Sequence, residues 1–301
     1  MIAALFAIAA FAVAFNAADD SGDDAPLGAS ATLTITNATT QDDIQDAIDL
    51  LGAGDTLTVT GSLILADDDA AAVAGEWFRF TIPADCTVQW NATLVYRNNG
   101  GGLGIFGAGT FIAAAGTIDV SAFYTHGTAT GILNGNQTWY GSRWSIDAQE
   151  SSTLIVNGNL TVTGDDVTIG ANGSGAIFTV NGDLTITGTN TELKASRGGI
   201  ATVSGKLTVP DEDKYVLVSV FLAKSDYAET SSKAGYYQYT DGTSSIFVKI
   251  PSVDDPGDVA APAGDPGAGK GKDNTLLYVA IAAVAIVAIL VAVYFFVIKK
   301  K

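Results

Sequence analysis

Three stretches of the chain share one pattern: LIVNGNLTVTG at 154–164, FTVNGDLTITG at 178–188 and ATVSGKLTVP at 201–210. Their central glycines, Gly158, Gly182 and Gly205, lie 24 and 23 residues apart. Taken alone, Asn181-Gly182 between two alternating apolar arms signals a hairpin. Recurrence at near-constant spacing changes that meaning. More than twenty residues is too long for one strand and its turn, and it suits one coil of a solenoid with three short strands and three corners.

The same frame extends upstream. Around Gly182 the positions four and two residues to either side are Phe178, Val180, Leu184 and Ile186, and around Gly158 they are Leu154, Val156, Leu160 and Val162. Gly205 has Ala201, Val203, Leu207 and Val209, Gly61 has Leu57, Val59, Leu63 and Leu65, and Gly116 has Ile112, Ala114, Ile118 and Val120. Trp90 takes the centre of a weaker copy with Cys86, Val88, Ala92 and Leu94. The off-phase positions are mostly Thr, Asn, Asp and Ser, so inside and outside alternate along both arms. From Asp55 to Ile250 this predicts about eight coils and a rod of about 38 Å. The 29 residues from Gly61 to Trp90 and the 42 from Gly116 to Gly158 predict bulging loops, with the register over 121–150 undetermined.

A different period precedes the coils. Ile44, Ala47, Ile48 and Leu51 fall on one helical face within 39–52, Thr40 and Asp43 fit a capping box, and Gly52 stands at the end. This predicts a short amphipathic helix that covers the open first coil. At the other end, residues 213–250 lose the period and gain aromatics, which predicts a C-terminal cap with a hairpin at Asp241-Gly242.

The ends predict a membrane-tethered surface protein. Residues 275–298 run 24 positions without a charge, about 36 Å of helix against a hydrocarbon core of about 30 Å. Tyr278 and Tyr294 mark its ends, and Lys299, Lys300 and Lys301 place that side in the cytoplasm. Residues 1–18 are apolar and end in small residues, as a secretory signal peptide does, although no basic residue precedes Arg79. Residues 19–38 form a lead-in, 39–250 a β-helix ectodomain, 251–274 a Pro/Gly/Asp linker reaching about 25–30 Å, and 299–301 a cytoplasmic tail. With twelve basic against 32 acidic residues outside the membrane, the ectodomain carries a net charge of −20. Such a surface repels nucleic acid and anionic lipid. Cys86 is the only cysteine, so the core and the backbone ladders must stabilise the domain without a disulfide.

The stretch DDIQDAIDLLGAGDTLTVTGSLIL, residues 42–65, resembles the opening of right-handed parallel β-helix proteins of the pectin-lyase-like superfamily, in which such a helix and strand cap the first coil. The VNGxLTVTG copies look like coils of adhesin-like surface proteins of methanogenic archaea and bacteria. Over residues 40–210 the resemblance implies an all-β, right-handed parallel β-helix with a short N-terminal capping helix, joined here to one C-terminal transmembrane helix. Its functional implication is adhesive or structural. A polysaccharide lyase or glycoside hydrolase of the β-helix type is the alternative, and an envelope-layer (S-layer-like) subunit is a third.

GDDVTIG, with Asp165 and Asp166, is similar to the paired-aspartate motif of polygalacturonases. A hydrolase needs one carboxyl acid and one base flanking the bond, whereas neighbouring strand residues point to opposite faces. The companion motifs are missing, and the only histidine, His126, lies upstream. Lys194 and Arg197 are the nearest basic pair for a lyase and read as a solvated turn. The chain is therefore expected not to be an enzyme.

No cofactor or metal is expected. Asp67-Asp68-Asp69 lacks the spacing of a calcium loop, and the glycines of 98–109 lack the helix and lysine of a phosphate loop. Five sequons, at Asn37, Asn91, Asn136, Asn159 and Asn172, are glycosylation candidates in a surface protein. Trp139, Tyr140 and Trp144 are the candidate contacts for an extracellular glycan or surface-protein ligand.

Overall fold

The computed structural model describes residues 14–16, 29–65, 78–96, 102–140, 145–210, 216–218, 220–223 and 225–251. They form a parallel β-solenoid of about seven turns. Each coil runs through three faces. Face 1 stacks Ser30–Ile35, the first half of Thr56–Leu65, Thr87–Trp90, Thr110–Ala113, Thr130–Asn134, Thr153–Asn157, Ile177–Val180 and Ile200–Val203. Face 2 is a short sheet in two sections, the second built from Gln137–Trp139, Leu160–Val162, Leu184–Ile186 and Leu207–Thr208. Face 3 stacks Phe78–Ile82, Gly102–Gly107, Ala122–Thr125, Ser145–Gln149, Thr168–Asn172, Glu192–Ser196 and Val216–Val218.

Asn181-Gly182 is a corner between face 1 and face 2, and Leu160 pairs in register with Leu184, both fully buried. Neither Asn181 nor Gly182 adopts a positive φ, unlike the glycines at 61, 116 and 135. Glycine is needed at 182 for a second reason. A Cβ there would lie 2.6 Å from the carbonyl oxygen of Gly158 on the coil below. The Gly182 N–H donates to that same oxygen at 3.0 Å, and Gly205 repeats the bond to Gly182 at 2.9 Å. Beside this seam the Asn157 amide donates to Asn134 at 3.0 Å and the Asn181 amide to Asn157 at 2.8 Å, a ladder of carboxamides along the axis.

Two expectations are corrected. The 42-residue interval holds a complete coil, centred on Gly135 with Gly131, Leu133, Gln137 and Trp139 at the inward positions. Gly131 and Gln137 hid it from the apolar pattern. A Cβ at 131 would meet the Thr125 methyl at 2.7 Å, and Gln137 is buried because its amide donates to the Asn134 carbonyl at 2.9 Å. The stack also holds one turn fewer than chain length suggests. Val220–Leu222 folds back antiparallel on Val216–Val218, and the hairpin Tyr236–Thr240/Ser245–Lys249 adds its second strand to face 1 beside Ile200–Val203. Asp241 shapes that hairpin by accepting from the N–H groups of Thr243 and Ser244.

The interior is one apolar column. Phe80, Trp90, Phe111, Phe123 and Trp139 follow one another with ring centroids 5.8, 5.9, 6.0 and 6.2 Å apart. The indole N–H groups of Trp90 and Trp139 are buried without a partner. Cys86 is buried, donates to the Gly52 carbonyl at 3.1 Å, and has its thiol pKa pushed up by burial.

Helix α1 (Gln41–Asp49) begins with the expected capping box of Thr40 and Asp43 and ends at Leu50, before Gly52. Ile44, Ala47 and Ile48 are buried. Its other service is to the first strand of face 3, where Gln41 Oε1 accepts from the Arg79 N–H at 3.0 Å. The expected transmembrane segment 275–298, all of the expected linker 251–274 except Pro251, and most of the signal segment lie outside the described residues. Among the described residues no helix is long and apolar enough to cross a membrane.

Candidate functional site

Register along face 3 brings one outward-facing row together: Arg79, Gly104, Tyr124, Asp147, Gly170 and Lys194. Gly104 leaves room for the large side chains beside it, whereas at Gly170, with φ 141°, a Cβ would run into the Lys194 backbone. The Tyr124 ring lies over Gly104, where a Cβ would meet its Cζ at 2.6 Å. The Arg79 guanidinium donates to the Tyr124 hydroxyl. Burial raises the pKa of that phenol and Arg79 pulls the other way, so it stays protonated at neutral pH.

Phe106 stands next to this row and joins it to a second one. Its ring meets Tyr124 edge-on at 5.5 Å and His126 at 5.1 Å, with the Arg79 guanidinium 5.9 Å from its centroid. Nε2 of His126 is 3.4 Å from a carboxylate oxygen of Glu150. The Asp147 carboxylate is only 3 % exposed and accepts from the Gln149 amide at 3.2 Å to both oxygens. Lys194 lies 3.9 Å from Glu192. The result is an aromatic surface bordered by a guanidinium, an imidazole, amides and carboxylates. Such a surface stacks on a flat ligand and hydrogen-bonds its rim.

The residues singled out in the sequence lie elsewhere. Asp165 and Asp166 occupy an exposed corner between faces 2 and 3, with Asp166 at φ 58°. Asp165 accepts from the Thr189 N–H at 2.6 Å and its hydroxyl at 2.7 Å, and Asp166 accepts from the Asn190 amide at 3.1 Å. The Thr189 bonds hold the Asp165 carboxyl below its ordinary pKa. Both aspartates thus brace the next coil. Trp139 is 3 % exposed in the core, Tyr140 is 58 % exposed, and Trp144 lies outside the described residues. No group of metal-ligating side chains occurs among the described residues.

The patch on face 3 was hidden in the sequence because its members sit on off-phase positions, and Tyr124, His126 and Asp147 fall in the interval where register was undetermined. The coil spacing was the available signal: Tyr124 and Asp147 are 23 residues apart, as are Asp147 and Gly170. No known protein family, curated protein or solved structure matches the chain.

Proposed function

We propose that the chain is a membrane-tethered, adhesin-like cell-surface protein whose solenoid holds face 3 toward an extracellular ligand, with a glycan as the leading class. The observation that carries this reading is the patch of Arg79, Phe106 and Tyr124 on three successive strands of a stiff sheet, with His126 at the end of the third. Interlocked coils keep these side chains at fixed spacing, so little order must be created on binding. The acidic surface favours neutral or cationic partners and disfavours nucleic acid.

Binding of the full chain to arrayed glycans tests this reading, with turnover followed on the same glycans. Arg79→Ala and Phe106→Ala are expected to weaken binding on the order of tenfold each. Turnover that disappears in Asp165→Asn or Tyr124→Phe would replace the adhesive reading with an enzymatic one. Binding untouched by changes at Arg79 and Phe106 would move the ligand site off face 3.

A further inference from the structure

The corner between face 1 and face 2 collects four of the five sequons. Asn37 follows Ser30–Ile35, Asn91 follows Thr87–Trp90, Asn136 follows Thr130–Asn134, and Asn159 follows Thr153–Asn157. Sequons scattered over 123 positions of sequence therefore fall on one edge of the solenoid. Asn172 stands apart, as the last residue of Thr168–Asn172 on face 3.

Local geometry sorts them further. Asn91, Asn136 and Asn159 are exposed, and the hydroxyl residues two positions on, Thr93, Thr138 and Thr161, are not buried. The residue between them points inward in each case: Ala92, Gln137 and Leu160 are buried. Amide and hydroxyl therefore project from the same side of the strand, as an acceptor site requires. Each asparagine uses Oδ1 as an acceptor. Asn136 takes the Asn159 N–H at 3.0 Å, Asn159 takes the Asp183 N–H at 2.9 Å, and Asn91 takes the Gln89 amide at 3.2 Å. Among the described residues nothing accepts from their Nδ2, in contrast to Asn157 and Asn181, whose Nδ2 atoms are spent on the carboxamide ladder. The other two sequons are obstructed. Thr39 is buried and its hydroxyl oxygen accepts from the Thr36 N–H at 2.9 Å, while the Asn172 side chain is half-buried where the three acceptor asparagines are exposed.

We infer that this edge is N-glycosylated, with Asn91, Asn136 and Asn159 as acceptors and Asn37 and Asn172 bare. The inference rests on the surface placement proposed above. The donor is a lipid-diphosphate-linked oligosaccharide. Nδ2 attacks its anomeric carbon, the N–C bond forms, the C–O bond to the diphosphate breaks, Nδ2 loses one proton, and the lipid diphosphate leaves. The substituted Nδ2 keeps one hydrogen and Oδ1 keeps its bond, so the corner survives the modification. The glycans stand on the edge shared by faces 1 and 2 and leave the patch on face 3 open.

Glycopeptide mass spectrometry on the full chain, purified from cells that make it, tests this together with an impermeant amine label applied to those cells intact. The expected result is sugar mass on Asn91, Asn136 and Asn159, none on Asn37 or Asn172, and labelling of ectodomain lysines. Thr138→Val should abolish the modification of Asn136 alone, and Thr138→Ser should retain it. Bare asparagines at 91, 136 and 159 in a chain that takes the label would overturn the glycan edge and leave the surface placement standing. Equal modification of Asn37 and Asn172 would overturn the sorting by fold. A chain that takes neither label nor sugar would remove the surface placement and the glycan edge together.

Discussion

Gln45 completes the hydrogen bonding of Thr81: its Nε2 donates to the Thr81 carbonyl at 3.0 Å, and its Oε1 accepts from the Thr81 N–H at 2.9 Å. One turn of helix earlier, Gln41 does half of this for Arg79. A helix side chain thus stands in for the strand that a preceding coil would have supplied. An open sheet edge templates pairing with other chains, so the carboxamides protect as well as stabilise. Gln45→Ala is expected to lower stability by about 1–3 kcal/mol and to promote oligomers. Urea denaturation and light scattering of the purified protein check the two effects.

The corner glycines separate two reasons for having no side chain. Gly116 has φ 70° and nothing within 4 Å of a built Cβ, so Gly116→Asn should cost under about 1 kcal/mol, since Asn tolerates that conformation. Gly182 lacks the positive φ but would drive a Cβ into the coil below, so Gly182→Asn should cost about 3 kcal/mol. Thermal melts of the two variants should rank in that order.

Asp165 gives the fold an acid-sensitive contact. Its carboxyl is held below its ordinary pKa by two bonds from Thr189, so the folded value is lower than the unfolded one. The stabilisation is fully present above about pH 4, the unfolded range, and fades as pH falls through the folded value. Thr189→Val should return the Asp165 titration toward the ordinary carboxylate range. Carboxyl-detected NMR titration reads this directly.

The aromatic column predicts an asymmetry between two core substitutions. Trp90→Phe removes a buried N–H that has no partner, a gain that offsets part of the lost volume, and should cost within about 1.5 kcal/mol. Phe111→Ala opens a cavity between Trp90 and Phe123 and should cost about 3–5 kcal/mol. Chemical denaturation of both variants gives the comparison.

The solenoid was legible in the sequence because its apolar positions obey two constraints at once, period two along a strand and period about 23 along the chain. Phe178, Val180, Leu184 and Ile186 satisfy both, and all are buried. The coil at 130–149 was not legible because Gly131 and Gln137 are inward for reasons of space and hydrogen bonding rather than hydrophobicity. Asp147, at the border of the patch on face 3, depends on that coil for its register. Without it, Tyr124 and Asp147 are unrelated off-phase residues. The edge-capping role of Gln41 and Gln45 was invisible for another reason: on a helix they read as ordinary polar residues of the solvent face, and only the position of the 78–82 strand reveals their targets.

The backbone bonds between coils run along the axis of the stack, each coil holding the next. A pull applied from the first coil to the last would therefore load these bonds end-on and open them in sequence, as a zipper opens, rather than shear them all at once. A coil such as 130–152 holds 23 residues between Thr130 and its partner Thr153, and each one released would lengthen the chain by roughly 75 Å. The column of asparagines and glycines that keeps the coils in register at rest would act, under tension, as a series of breakable links that lets the protein yield without letting go.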